Sequence, residues 1–171
     1  MPILPDVLEP NLKVVICGTA VSTRSAQIGA YYAGPGNQLW IVLAAIGLTP
    51  RLLKPQEFQL LPTFGIGLTD LVKERFGMDH TLQSRDFDPG GVRARVAKVA
   101  PKALAFNGKR AAKEFYGLKQ IEYGRQPEAF GSTAVFVMPS TSGAAYQFAP
   151  DNRERSYAHW RALADFVRGN W

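Results

Sequence analysis

The sequence has one cysteine, Cys17, and only two histidines, His80 and His159. A single thiol has no internal disulfide partner, and it excludes a four-thiolate iron–sulfur cluster and a Cys-based zinc site. Two histidines are too few for a His-rich metal site, so no metal and no cofactor is expected. Long apolar runs are also missing: charges or glycines interrupt every stretch that approaches a membrane span. The opening Met1-Pro2-Ile3-Leu4-Pro5-Asp6 lacks the basic start and long apolar core of a signal peptide, so a cytoplasmic location is expected. Two phosphate-binding signatures are absent as well. No G-x-G-x-x-G follows the first apolar run, and no G-x-x-x-x-G-K-[ST] occurs anywhere.

What remains is the composition of a globular chain. Hydrophobic residues make up 46% and charged residues 20% of 171, which suits a single domain over residues 1–171 rather than a disordered segment. Twenty Lys and Arg against fourteen Asp and Glu give a net charge of +6 and a pI near 9.6. That balance favours an anionic partner, of which nucleic acid is the commonest large one. The basic residues are spread along the chain rather than gathered in one tract.

Three prolines in residues 1–12 predict an extended lead-in. Lys13 to Cys17 is a β-branched apolar run of the kind that forms a buried parallel strand, and Gly18 ends it. Residues 18–37 read as a loop carrying Tyr31 and Tyr32, and Gln38 to Ile46 as an apolar helix. Gly47 ends that helix, and the pair Thr49-Pro50 predicts the start of another. Residues 55–61 predict a short helix stopped by Pro62. From Phe64 to Lys73 the apolar alternation predicts an extended segment closing in a polar turn at Thr69-Asp70. Residues 76–89 read as a surface loop, and Gly91 to Ala100 as a helix with Val92, Val96 and Val99 on one side. A strand over Ala103 to Phe106, a turn at Asn107-Gly108 and a helix from Lys109 to about Tyr116 come next. After a glycine-rich connection over 117–132, Thr133 to Met138 is the last strand and residues 151–167 the last helix. Strands alternating with helices predict an α/β fold: three α/β/α layers around a mostly parallel sheet.

In such sheets ligands bind beyond the carboxyl ends of the strands. Three polar loops stand there, 18–37, 67–72 and 138–145, so one pocket can draw on all three. Two readings of the tyrosine pair are open at this point: rings covering a planar ligand, or packing residues with a wet hydroxyl.

The ordered pieces Cys17-Gly-Thr-Ala-Val-Ser22, Gly29-Ala-Tyr-Tyr-Ala-Gly-Pro-Gly-Asn-Gln-Leu-Trp40, Leu53-Lys-Pro-Gln-Glu57, Gly67-Leu-Thr-Asp-Leu-Val72, Ala105-Phe-Asn-Gly-Lys109 and Met138-Pro-Ser-Thr-Ser-Gly143 carry a resemblance. With them the sequence resembles the uracil-DNA glycosylase superfamily, in particular its mismatch-specific uracil/thymine branch. The resemblance implies a base-flipping repair enzyme acting as a monomer on DNA that contains uracil or a related damaged base. It would hydrolyse the bond between base and deoxyribose. Flipping costs a few kcal/mol, and stacking on an aromatic ring recovers roughly 1–3 kcal/mol per base. It also implies a base-binding set of Thr19, Ala20, Ser25, Tyr32 and Asn37, with Tyr32 as the stacking ring. Ser140, Thr141, Ser142 and Gly143 fall in the loop that binds DNA backbone and enters the gap left by the base.

Two positions depart from the family pattern. Ala20 stands where the branch carries an asparagine that positions the attacking water, and Ser140 follows the proline without the histidine of some relatives. Ala20 cannot orient water, and loss of such a group is worth ~10²–10⁴-fold in rate. Asp70 is the first candidate to take its place, and Ser22 the second. Each also has a plain structural reading: Asp70 as a turn or cap residue, Ser22 and Ser25 as backbone caps, Asn37 as part of its turn. A lyase would need an amine in the pocket; Lys73 is the nearest. Because of Ala20, a lesion-binding protein of the same fold without bond cleavage stands as the alternative, and a small nucleotide-binding α/β protein as a more distant one.

Overall fold

Val14–Gly18 (β1) has apolar side chains on both faces, and such a run is stable only when both faces are covered. In the computed structural model, which describes residues 2–169, all five of its residues are buried. β1 lies inside a five-stranded sheet with Ile66–Asp70 (β2), Ala103–Asn107 (β3), Gly124–Arg125 (β4) and Ala134–Met138 (β5), in the order β2-β1-β3-β5-β4. β1 pairs in parallel with β2 and β3, and β3 in parallel with β5; only the short β4 runs antiparallel.

Among the described residues the α-helices are Thr23–Ile28 (α1), Leu39–Ala45 (α2), Pro89–Val99 (α3), Lys109–Tyr116 (α4) and Arg153–Val167 (α5). Alternate strand residues separate into two cores. Val14, Ile16, Ala105, Phe136 and Met138 pack with Val42 and Leu43 of α2 and Trp160 and Leu163 of α5. Val15, Cys17, Phe106, Val135 and Val137 pack with Val92 and Val96 of α3 and Ala111 and Phe115 of α4. Each fully buried Val, Ile or Phe contributes about 1.5–3 kcal/mol relative to exposure. The three-layer α/β/α fold expected from the sequence is therefore the one observed.

Local differences have physical causes. Residues 18–37 are not loop throughout, because Ser22 caps α1 by accepting from the Ser25 amide at 3.1 Å. Thr69 and Asp70 are not a turn but the buried end of β2, their polar groups engaged or held inside rather than solvated. No helix starts at Thr49-Pro50, where the threonine hydroxyl donates to the Arg51 carbonyl at 2.9 Å. A 3-10 run begins instead at Pro55 and passes through Pro62 to Phe64, its short i→i+3 turns depending on no continuous ladder. The lead-in is docked: Val7 and Leu68 exchange two backbone hydrogen bonds of 2.9 Å at the outer edge of β2. Among the described residues no helix is long and apolar enough to cross a membrane.

Candidate active site

Because β1, β2, β3 and β5 are parallel, their carboxyl ends meet at one rim. β2 lies on one side of β1 and β3 on the other, which opens a crevice at the end of β1. A cavity of about 340 Å³ sits there, within the usual range of about 300–1,000 Å³ for small-molecule sites. All three rim loops foreseen in the sequence line it, and the end of β3 supplies a fourth wall.

Gly18 forms part of the wall, and two side chains close on it. A Cβ at Gly18 would lie 2.8 Å from Asp70 Oδ1 and 2.9 Å from Tyr32 Oη. Asp70, opposite Gly18 in the β1–β2 register, is 2% exposed. Its Oδ2 and Tyr32 Oη are buried polar atoms without a hydrogen-bond partner. Such atoms are costly in a folded protein, so each calls for a physical account. Burial raises the Asp70 carboxyl to about 6; Asp6 adds to the rise, while Lys73, Arg95 and a Gly18 backbone hydrogen bond oppose it. Burial and the nearby Asp70 push the Tyr32 phenol well up, and the Asn107 side chain eases that shift without making a bond of normal geometry. Tyr32 therefore stays neutral.

Tyr32 owes its position to a left-handed backbone, φ 52°, stabilised where the Trp40 indole donates to its carbonyl at 3.2 Å. Tyr31 turns away into the core, its hydroxyl donating to the Pro5 carbonyl at 2.9 Å and accepting from Lys73 Nζ at 3.0 Å. Both tyrosines line the cavity, Tyr31 with its hydroxyl bonded on the core side.

The other foreseen residues divide by what holds them. Thr19, Ala20, Ser22, Ser25 and Asn37 all line the cavity. Ser22 Oγ donates to Ser25 Oγ at 3.1 Å, and Ser25 Oγ accepts from the Ala33 amide at 2.9 Å, so both serines tie α1 to the tyrosine loop. Asn37 Oδ1 accepts from the Leu39 amide at 3.0 Å at the start of α2. Ser140 and Ser142 line the cavity, while Gly143 packs on the Pro35-Gly36 backbone. Thr141, assigned from the sequence to the DNA-facing loop, is buried at the cavity wall. Its hydroxyl accepts from Asn107 Nδ2 at 2.8 Å and its amide donates to Asn107 Oδ1 at 3.0 Å. This double bond between side chain and loop fixes the 138–145 segment to the end of β3. The Gln38 amide, donating to the Thr141 carbonyl at 2.8 Å, ties the same loop to α2.

Asn107 also lines the cavity, although Asn-Gly reads in sequence as a turn. The available signal was a polar side chain ending an apolar strand. Lys109, Arg110, Gly77 and Met78 also line the cavity. Gly77 and Met78 arrive from the 76–89 segment through the Val21–Phe76 bridge. His80 is exposed and does not line the cavity; Lys73 lies behind Tyr31. Among the described residues no group of three or more His, Cys, Asp or Glu could hold a metal.

The family described as the Uracil DNA glycosylase superfamily matches residues 5–164. The chain belongs to the uracil DNA glycosylase superfamily. A solved relative in fold is the solution NMR structure of a "putative Uracil DNA glycosylase" from Methanosarcina acetivorans, with a TM-score of 0.62. It shares 24% identity, over 94% of this chain and 96% of that one. At that identity the likeness speaks for the fold, and superfamily membership supports a glycosylase-type function.

Proposed function

We propose that the protein is a monofunctional DNA glycosylase that receives uracil, or a related deaminated or damaged base, flipped out of DNA and hydrolyses its N-glycosidic bond. The observation that carries this reading is Asp70 Oδ2, an unpartnered, buried carboxylate oxygen at a cavity also lined by Tyr32. A carboxylate there can hold a water against the anomeric carbon and stabilise the cationic sugar as the base departs. The C1′–N1 bond breaks with its electron pair on the base, the water oxygen bonds to C1′, and its proton passes to Asp70. The base leaves as an anion and takes a proton from solvent. Tyr32, its hydroxyl neutral, offers its ring for stacking. The mismatch-specific branch is favoured by Met138-Pro-Ser-Thr-Ser-Gly143 and the Tyr-Tyr-Ala-Gly-Pro-Gly-Asn stretch. The net charge of +6 supports the polyanionic substrate.

Ala20, whose side chain offers no polar atom to a water, favours a second reading: a lesion-binding protein with the same cavity and no bond cleavage. Incubation with end-labelled uracil-containing DNA followed by alkali separates the two. Strand scission at the uracil position supports the glycosylase; tight binding with intact strands supports the lesion binder.

A further inference from the structure

Asp70 has two cations near it, yet neither donates a hydrogen bond to its carboxylate. Lys73 Nζ lies 3.9 Å from Asp70 Oδ2 but 2.9 Å from Asp6 Oδ1. Arg95 pairs through Nε with Asp6 Oδ2 at 2.9 Å, and its Nη2 donates to the Asp70 carbonyl at 3.1 Å, not to the carboxylate. Asp6 thus accepts from both, and from the Thr69 hydroxyl at 2.8 Å as well. Lys73 is steadied further by the Tyr31 hydroxyl at 3.0 Å.

We propose that Asp6, a residue of the docked lead-in, is a positioning residue: it draws Lys73 and Arg95 away from Asp70 and so keeps Asp70 Oδ2 free of a direct hydrogen bond from either cation. The proposal rests on the reading of Asp70 as the water-positioning group. An ammonium closing the last ångström onto Asp70 Oδ2 would occupy the lone pair that the water needs. It would also hold the carboxyl toward its ordinary range, since an opposite charge within about 4–6 Å lowers a carboxyl by about 1–3 pH units. The groups that act on Asp70 come from every side: Asp6 from the lead-in, Cys17 from β1, Tyr31 and Tyr32 after α1, Lys73 after β2, and Arg95 from α3. Cys17 and both tyrosines are pushed up by burial and stay neutral, so the balance lies among Asp6, Lys73 and Arg95.

The test is Asp6→Asn, which keeps the shape and the Thr69 contact while removing the charge. The lead-in stays docked through the Val7–Leu68 pair and the Tyr31–Pro5 hydrogen bond. Two readouts are taken on the full chain: the titration of Asp70 by carboxyl ¹³C NMR, and the acid limb of the pH profile of single-turnover uracil excision. In wild type both fall near 6. In Asp6→Asn both move down by at least about one pH unit, and excision at neutral pH slows because Lys73 covers the carboxylate. Lys73→Met raises both by more in the Asp6→Asn background than in wild type, because Lys73 reaches the carboxylate only when Asp6 is uncharged; equal shifts in the two backgrounds overturn the proposal. An Asp70 titration unmoved by Asp6→Asn overturns the proposal. A titration that moves while the rate limb stays in place overturns the catalytic reading of Asp70, and with it the role given to Asp6.

Discussion

Gly18 and Asp70 face each other across neighbouring parallel strands with no room for a methyl group between them: a Cβ at Gly18 would meet Asp70 Oδ1 at 2.8 Å. It would meet Tyr32 Oη at 2.9 Å on the other side. The glycine is thus required by the close approach of two cavity groups. In Gly18→Ala the carboxylate and the phenol must both move aside, while the strand itself stays apolar and buried. Displacement on the scale of an ångström costs roughly 10²-fold in rate. Single-turnover excision should fall by about that much, with the melting transition remaining cooperative. An unchanged rate would show that the positions of Asp70 and Tyr32 do not matter to the chemistry.

Asp70 should weaken the fold that holds it. Its carboxyl is raised from 3.8 to about 6 in the folded protein, chiefly by burial. Across that window the folded state keeps a proton that the unfolded state has released. Stability therefore declines as pH rises from about 4 to about 6, and the loss persists above it. Asp70→Asn lacks this ionisation. Its unfolding free energy in urea should exceed that of wild type by up to about 3 kcal/mol at neutral pH. The two proteins should converge below about pH 4. A variant less stable than wild type at neutral pH would mean that the carboxylate is held by favourable bonds, contrary to its unpartnered Oδ2.

Tyr32 separates stacking from hydroxyl chemistry. Tyr32→Ala should weaken capture of the flipped base by about 1–3 kcal/mol, read as the affinity for DNA bearing a non-cleavable uracil analogue. Tyr32→Phe removes a buried hydroxyl that has no partner in the free protein, so its melting temperature should be equal or higher. Its capture should stay close to wild type. Strong loss in Tyr32→Phe would assign the hydroxyl a direct bond to the base.

The parts of the fold legible in the sequence are those whose signal is local. β1, β3 and β5 were visible because buried parallel strands carry apolar residues on both faces. The motif points to Asp70, but a Thr-Asp pair looks like a turn in sequence, and only distant partners make it the buried end of a strand. Those partners are Asp6, 63 residues before Thr69, and Arg95, 26 residues after it. The Asn107–Thr141 clamp spans 34 residues in the same way. Each local preference, Asn-Gly for a turn or Thr-Ser-Gly for a solvated loop, was overruled by a partner from another strand end. Small capping elements such as α1 were hidden for the opposite reason: six residues carry too little periodicity to distinguish them from loop.

The most direct measurement compares single-turnover excision of uracil from duplex DNA by wild type and Asp70→Asn at neutral pH, with DNA affinity measured in parallel. The substitution keeps the shape, removes the charge and turns one acceptor oxygen into a donor. With Asp70 holding the water and facing the cationic sugar, excision should fall ~10²-fold or more, while DNA binding changes little. A folded Asp70→Asn that excises uracil at the wild-type rate would contradict the account and leave Asp70 as a structural residue at the end of its strand.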